Sequence, residues 1–409
     1  MLSVTDTEKI IFDLVQPFTP DKDTEIIDLF SASNRILASA ITSQLDFPHW
    51  DNSAMDGYAV RYADVQECSA ENPAVLQIVA EIPAGYQPQS SIQPGQAARI
   101  FTGAIIPPGA DTVIMQERTR QEGNQVYILA SPRPQEFVRK RASYYQAGQE
   151  LLPTGIPIKA TEMAILAAAQ CIKIPVYRRP KVAIFSTGDE LVTPEQPLQP
   201  GQIVDSNGYV LAALVQEMGA QVLPFGIIKD EPEALTAVIS QAISQADIVI
   251  SSGGVSVGEY DYVEQVIKSL GGEVSVASVA MKPGKPLTVA NFSQKQSLYF
   301  GLPGNPVSAL VTFWRFVQPA IRKLSGLADG WRSQFLLAKT VQELRSDGKR
   351  ESYIWGRLHL VDGKYEFHLS QGSQVSGNLI NLAQTNALAV MKIGENFIAQ
   401  GEEVWVIIP

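Results

Sequence analysis

The order of apolar and polar positions changes along the chain, and its middle part alternates between two periods. Four mostly apolar runs have the length of a β-strand: residues 181–185, 222–228, 247–251 and 297–302. Three longer segments repeat apolar positions at helical spacing: residues 205–218, 231–245 and 307–325. Strands that alternate with helices predict βαβ units around a parallel sheet, and therefore an α/β fold class.

Polar turns follow these predicted strands, at residues 186–190, 229–230 and 251–261. Ligands of parallel sheets bind beyond the carboxyl ends of the strands, so we expect the turns to converge on one rim. Asn305 and Pro306 favour the N-cap and the first position of the last helix. Its free backbone N–H groups are predicted to face an anion.

The flanking segments have a different pattern. Two of them lack long helical patterns and contain many turn signals, including the hairpin dipeptide Asp362-Gly363. We therefore predict four domains: a discontinuous helical linker domain (1–44 and 141–175), an inserted β-rich domain (45–140), a βαβ domain (176–328) and a C-terminal β-module (329–409). Residues 1–25 of the linker domain are also compatible with packing on the βαβ domain.

Composition narrows the class of protein. The 32 basic and 42 acidic residues give a formal net charge of −10, which disfavours sequence-independent binding of nucleic acid. No apolar run is long enough to span a membrane, and the first residues lack the features of a signal peptide, so a cytoplasmic protein is expected. Two cysteines exclude a disulfide framework and a four-thiolate zinc site, and three scattered histidines disfavour a histidine-built metal site.

Four acidic residues stand at turns: Asp56, Glu190, Asp230 and Asp261. The last three follow predicted strands of one sheet, and carboxylates placed together there suit Mg²⁺, which takes a few carboxylates with water and substrate phosphates. The alternative is that each acid caps a helix or is a solvated turn residue. Taken singly, each residue fits that alternative better, and only their shared rim favours a metal site.

Two further segments are candidates for anion binding. Lys282-Pro283-Gly284-Lys285-Pro286 holds two lysines in a turn stiffened by proline, so it is either an oxyanion site or a solvated surface turn. The glycine-rich residues 252–258 lack the Gly-Lys-Ser/Thr ending of a Walker loop, and they indicate phosphate binding or a tight turn.

Seven segments together resemble one family, and they occur in that family's order: DNSAMDGYAVR, RIFTGAIIPPGAD, FSTGDEL, GIIKDEP, SSGGVSVGEYD, KPGKP and GLPGNPVSAL. The chain is similar over nearly its whole length to the molybdopterin molybdenumtransferase family, MoeA, which is also seen as the E domain of gephyrin. The resemblance implies a reaction that requires Mg²⁺. In it, molybdate is joined to adenylated molybdopterin, and AMP and molybdenum cofactor are released.

The resemblance also implies an architecture. It consists of a helix-containing linker domain, an inserted β-domain, a βαβ domain like that of the adenylyltransferase of the preceding step, and a C-terminal β-barrel. Family members are homodimers whose site lies between the βαβ domain of one subunit and parts of the other. The adenylyltransferase is itself an expected partner, and neither nucleic acid nor membrane is expected.

The family's functional residues fall on matching positions of this chain. The catalytic residues are implied to be Asp56, Thr102, Glu190, Asp230 and Asp261, of which Glu190, Asp230 and Asp261 would ligate the metal. The residues implied to bind molybdate or substrate are Lys282, Lys285, Ser308, Arg350 and Ser376. Pro303 and Pro306 fall on structural prolines of the family's site.

Two positions depart from the family pattern. Family members commonly carry Arg-Gly-Glu-Asp after the inserted domain, and this chain has Tyr144 where the aspartate is expected. The family arginine of the anion site falls on Arg350 with shifted spacing, and Arg357 is the second candidate.

Two rival functions use the same domains. A molybdopterin adenylyltransferase would need only the βαβ domain, and the additional β-modules disfavour it. A scaffold of the gephyrin E-domain type normally accompanies a fused domain and a long linker, and the sequence contains neither.

Overall fold

The computed structural model describes residues 1–254, 262–372 and 374–409 of the chain. The chain forms two compact units: Met1–Ser39, Thr154–Met163 and Lys173–Pro409 make the first, and Ala40–Pro153 and Ala164–Ile172 make the second. The α-helices of the described residues are Val4–Leu14, Pro20–Asp23, Ala160–Ala168, Asn207–Glu217, Pro232–Gln245, Tyr262–Ser269, Pro306–Thr312 and Gln318–Leu324. A π-helical stretch, Phe313–Val317, joins the last two. No helix in the described part of the chain is both long and apolar enough to cross a membrane.

A mixed six-stranded sheet forms the centre of the first unit. Its strands are, in spatial order, Gln221–Ile228, Lys181–Thr187, Ile248–Ser252, Ser297–Leu302, Pro286–Phe292 and Glu273–Ser278. The first four are parallel, as the alternating pattern predicts, and the last two add antiparallel pairings. The α/β class is therefore confirmed, with an antiparallel extension that the sequence pattern does not indicate.

Alternate side chains of a parallel strand point to opposite faces of this sheet, and helices pack on both faces. Val182 and Ile184 pack in a core with the helices of residues 306–324 and with the first helix, which contributes Ile11. Ala183 and Phe185 point to the other face and pack on the Pro232–Gln245 and Tyr262–Ser269 helices. Burial on both faces explains why the three inner parallel strands read as nearly continuous apolar runs, whereas the edge strand Gln221–Ile228 has no fully buried residue.

The C-terminal module is a closed five-stranded barrel, as the resemblance implies. Its strands are Gln334–Thr340, Glu351–Val361, Lys364–Leu369, Ala387–Met391 and Glu403–Ile408. Closure comes from the pairing of Glu351–Val361 with Ala387–Met391. Asp362 and Gly363 both have positive φ angles, 47° and 76°, at the turn of the predicted hairpin. A short strand of the central domain, Met281–Lys282, pairs in parallel with Glu351–Val361. Main-chain hydrogen bonds therefore join the barrel to the turn of residues 282–286, here named the lysine turn.

The second unit contains a six-stranded sheet of Gly57–Val60, Ala74–Ile82, Gln96–Ile100, Thr112–Met115, Thr119–Glu122 and Gln125–Ile128. Alternate residues of its strands bury two separate apolar clusters, one containing Tyr58 and one containing Ala59. The β-rich character predicted for this segment is confirmed.

The predicted helical character of the linker segments is wrong in part. Helices occupy only Val4–Leu14, Pro20–Asp23 and Ala160–Ala168 there. Four short strands lie among the remaining residues and pair as Thr24–Asp28 with Lys173–Tyr177 and Ile41–Thr42 with Glu150–Leu152. Each strand pairs with a partner more than one hundred residues away, so a local periodicity does not reveal it. The exact boundaries of the four domains stay predictions.

Candidate functional site

The carboxyl ends of the four parallel strands open into a cleft of about 650 Å³, here named the carboxylate cleft. Its lining includes Thr187 at the end of one strand and Glu190 after that strand, Asp230 after the next, and Gly253 after the third. The turn after the fourth strand adds Pro303, Gly304, Asn305 and Pro306. The predicted convergence of these turns on one rim is what the described residues show.

Gly253 holds two of these turns against each other. Its φ is +94°, a left-handed value that favours glycine, and a Cβ built there would lie 2.2 Å from the carbonyl oxygen of Thr187. Its N–H also donates to the Leu302 carbonyl at 3.1 Å. The glycine is therefore required by close packing between the ends of adjacent strands.

Asp230 is the predicted metal ligand of the cleft that is held by a hydrogen bond. Its Oδ1 accepts a short hydrogen bond from the Thr187 hydroxyl, and its side chain is half-buried. Glu190 lines the same cleft and is exposed. The predicted third metal ligand, Asp261, and residues 255–258 of the glycine-rich segment lie outside the described residues. Within the described ranges, no three His, Cys, Asp or Glu side chains group closely enough to hold a metal ion.

Two residues of the cleft were not among the predicted functional residues. Asp205 is buried, and its Oδ1 accepts from the Ser186 hydroxyl and from the Gly208 N–H, both at 2.9 Å. Asn207 is buried too, and its Nδ2 donates to Ser252 Oγ at 2.6 Å. Its Oδ1 is buried and has no hydrogen-bond partner among the described residues. The sequence offers Asp205 and Asn207, together with Ser206, only as candidate caps of the helix that follows.

A second cavity of about 460 Å³, here named the lysine cavity, adjoins the first and shares Pro286 and Ser308 with it. All five residues implied to bind molybdate or substrate line this cavity: Lys282, Lys285, Ser308, Arg350 and Ser376. They come from the lysine turn, the Pro306–Thr312 helix, the barrel and the segment that follows the barrel hairpin. The second arginine candidate, Arg357, is not among its lining residues, whereas Arg345, which the sequence analysis missed, is.

The lysine turn is held in place by contacts with the Pro306–Thr312 helix and with the barrel. Gly284 has φ +103°, and a Cβ there would lie 2.5 Å from the hydroxyl oxygen of the buried Thr312. The Lys282 backbone pairs with Ser352, and the Arg350 guanidinium donates to the Met281 carbonyl at 3.2 Å. Lys282 and Lys285 are nonetheless both exposed, so a ligand can reach both side chains.

The start of the Pro306–Thr312 helix differs from the prediction in one respect. Asn305 is the N-cap and Pro306 the first helical residue, as predicted, but the Asn305 side chain does not cap the helix. The Val307 N–H donates to the Ser376 carbonyl at 3.1 Å, so it is not free to face an anion. The prediction that the N–H groups at the helix start face an anion is therefore wrong for Val307.

Asp56 and Thr102 belong to the second unit, and they contact each other. Asp56 Oδ1 accepts from the Thr102 N–H at 2.7 Å and from its hydroxyl at 2.8 Å. These two hydrogen bonds, the backbone one foremost, lower the pKa of Asp56, which is an exposed residue. Tyr144, where the family pattern has aspartate, also lies in this unit and is 71% exposed. The functional roles of all these residues stay predictions.

Comparison with known proteins agrees with the motifs over the whole chain. Three family models match in succession: MoeA N-terminal region (domain I and II) over residues 2–169, probable molybdopterin binding domain over 183–323, and MoeA C-terminal region (domain IV) over 338–408. A molybdopterin molybdenumtransferase of Nostoc sp. is 64% identical over 408 residues, which cover 100% of this chain and 94% of the relative. One from Haemophilus influenzae is 36% identical over 386 residues, with 94% and 93% covered. The fold is similar to the crystal structure of the molybdopterin biosynthesis moeA protein from Pyrococcus horikoshii OT3, with a TM-score of 0.85, 27% identity and both chains covered completely.

Proposed function

Because the chain belongs to the molybdopterin molybdenumtransferase family, we propose that it inserts molybdenum from molybdate into adenylated molybdopterin and releases AMP. The observation that carries this proposal is the pair of adjoining compartments. One is lined by carboxylates and backbone turns, the other by four cationic side chains, and Ser308 lines both. A phosphoanhydride and a tetrahedral oxyanion can therefore be bound side by side.

The lysine cavity supplies what a molybdate dianion requires. Lys282, Lys285 and Arg350 offer charged N–H donors, which form stronger hydrogen bonds to anions than neutral donors do. The protein's net charge of −10 opposes the approach of an anion, so a local cluster of cations is needed to bind one. We assign molybdate to this cavity as a substrate.

The carboxylate cleft suits the adenylated pterin and Mg²⁺. Glu190 and Asp230 provide oxygen donors on one rim, a donor set that Mg²⁺ uses together with water and phosphate oxygens, and these two residues would hold the ion. Mg²⁺ bound there would neutralise charge on the phosphoanhydride and make AMP a better leaving group. Thr187 donates the hydrogen bond that orients the Asp230 carboxylate.

Two further parts of the proposal come from the resemblance. We propose a homodimer, because the family's site needs two subunits, and light scattering at micromolar concentration should give twice the mass of the chain. We also propose a cytoplasmic location, which the two free cysteines, Cys68 and Cys171, are compatible with. The adenylyltransferase of the preceding step remains a proposed partner.

The experiment incubates the purified chain with adenylated molybdopterin, Mg²⁺ and increasing molybdate. We expect AMP release that depends on molybdate and on Mg²⁺. The rival adenylyltransferase would instead form adenylated molybdopterin from ATP, and a scaffold would do neither. AMP release that is independent of molybdate would contradict the proposal.

A further inference from the structure

The four cations of the lysine cavity are not equivalent. Lys282 Nζ lies 2.9 Å from Asp347 Oδ2, and Arg345 Nε lies 2.8 Å from Glu343 Oε1. Lys285 and Arg350 form no ion pair with a carboxylate in the described part of the chain. Half of the cationic groups available to an anion are therefore already paired with an acid of the protein.

Asp347 is held in place by the backbone around it. Its Oδ1 accepts from the Lys349 N–H at 3.0 Å, and the neighbouring Ser346 N–H donates to the Asn396 carbonyl at 3.0 Å. Gly348 has φ +66°, and a Cβ there would lie 1.8 Å from Asn396 Oδ1. The loop that carries Asp347 is thus closely packed on the segment around Asn396.

Lys282 is fixed from the opposite side, by the pairing of its strand with the barrel strand at Ser352. The backbone segments that carry Lys282 and Asp347 are therefore both fixed by packing and hydrogen bonds, and they hold the two side chains within reach of each other. The side chains of Lys282 and Asp347 are 49% and 36% exposed, and ion pairs of that exposure contribute little to folding stability. Stability alone gives no reason for the pair.

A dianion bound to Lys282 would meet the Asp347 carboxylate as its nearest like charge. An ammonium group has three N–H donors, so Lys282 can contact both anions at once, but the two anions repel each other. We propose that Asp347 competes with the oxyanion for Lys282 and thereby sets the affinity of the lysine cavity for a tetrahedral dianion. Asp347 acts through Lys282, so it is a positioning residue and not a catalytic one.

This inference rests on the proposed function of the lysine cavity. It predicts that loss of the Asp347 charge tightens molybdate binding, whereas loss of a residue that helps to bind molybdate would weaken it. Asp347→Asn keeps the volume of the side chain and an oxygen that can accept from the Lys349 N–H, but it removes the negative charge. We expect the Kd for sodium molybdate, measured by equilibrium dialysis of the full chain, to fall by roughly three- to tenfold. The gain should shrink as salt is added, because exposed charges are screened.

Two further variants locate the effect. Asp362→Asn removes the same charge at the tip of the barrel hairpin, where asparagine before glycine is favoured, and should leave the Kd unchanged. In a Lys282→Ala background, Asp347→Asn should tighten binding by less than it does in the wild type, because the competition for Lys282 is gone and only the repulsion between the two anions remains. An equal gain in that background would overturn the inference in favour of a general field effect.

The remaining outcomes separate this inference from the proposed function. If Lys285→Ala weakens molybdate binding but Asp347→Asn leaves it unchanged or weakens it as well, the competing role is wrong and the cavity remains the oxyanion site. If Lys285→Ala leaves binding unchanged, the lysine cavity is not the oxyanion site, and both the proposed site and the role of Asp347 fail.

Discussion

Replacement of Gly253 by alanine tests how the carboxylate cleft is built. The added Cβ would meet the Thr187 carbonyl oxygen at 2.2 Å, and the φ of +94° would have to be adopted by a residue with a side chain. Gly226 provides a matched control on the same sheet, because its φ is +77° and a Cβ there meets nothing within 4 Å. The comparison separates the cost of the left-handed backbone from the cost of the close contact.

The two variants should differ in unfolding free energy only by the cost of the steric contact at the added Cβ. Placing alanine in the left-handed region costs about 1–2 kcal/mol, and both variants incur this. Forcing an extra carbon into a packed site adds about 1–3 kcal/mol, and only Gly253→Ala incurs that, because Thr187 belongs to a central strand that cannot move freely. We therefore expect Gly253→Ala to lower the free energy of unfolding by about 2–5 kcal/mol and Gly226→Ala by about 1–2 kcal/mol.

Urea unfolding of both variants, followed by circular dichroism, measures the difference. Thr187 also donates to Asp230, so Gly253→Ala should reduce turnover in the fraction that remains folded, whereas Gly226→Ala should not. Equal unfolding free energies for the two variants would refute the argument that close packing at Gly253 shapes the cleft.

Two more variants test other contacts. Glu8→Ala removes the carboxylate partner of the buried Arg315, which lies 2.9 Å away, and should lower the unfolding free energy by about 3–5 kcal/mol. A loss below 1 kcal/mol, measured by urea unfolding, would show that the ion pair does not stabilise the fold. Thr102→Val should raise the pKa of Asp56 toward its ordinary value but not fully, because the Thr102 N–H still donates. In the wild type, the hydrogen bonds to Asp56 stabilise the fold fully above the ordinary aspartate pKa, and this stabilisation is lost as the pH falls through the lowered pKa. A ¹³C NMR titration of the Thr102→Val variant should therefore show the Asp56 midpoint at a higher pH than in the wild type. An unchanged midpoint would contradict this.

The sequence predicts the parts of the fold that depend on local pattern. Buried parallel strands, the Asn305–Pro306 helix start and the Asp362-Gly363 turn all follow from short-range periodicity and capping, and the structure contains them. The paired strands of the linker segments depend on partners more than one hundred residues away, so local periodicity does not indicate them. The two antiparallel strands of the central sheet pair with strands close in sequence, but they lie outside the strand–helix alternation from which the sheet is predicted.

The candidate site shows the same division. Motifs place Lys282, Lys285 and Arg350 in a common site, and the structure brings them to one cavity. The motifs do not show that Val307 loses its N–H to the Ser376 carbonyl, or that Asp347 pairs with Lys282, because those contacts arise only when the barrel packs on the central domain. Arg345 was missed for the same reason, since its position on the cavity follows from the path of the barrel loop.

The most direct test of the two-compartment account is the effect of Lys285→Ala on the two substrates separately. A charge-assisted hydrogen bond contributes about 1.5–3 kcal/mol, or roughly tenfold to a hundredfold in affinity. We predict that Lys285→Ala raises the molybdate concentration needed for half-maximal AMP release by that factor, while the KM for adenylated molybdopterin changes little. Lys295→Ala, which removes an exposed lysine outside the cavity, should change neither value. An unchanged molybdate dependence in Lys285→Ala, or equal weakening of both substrates, would contradict the assignment of molybdate to the lysine cavity.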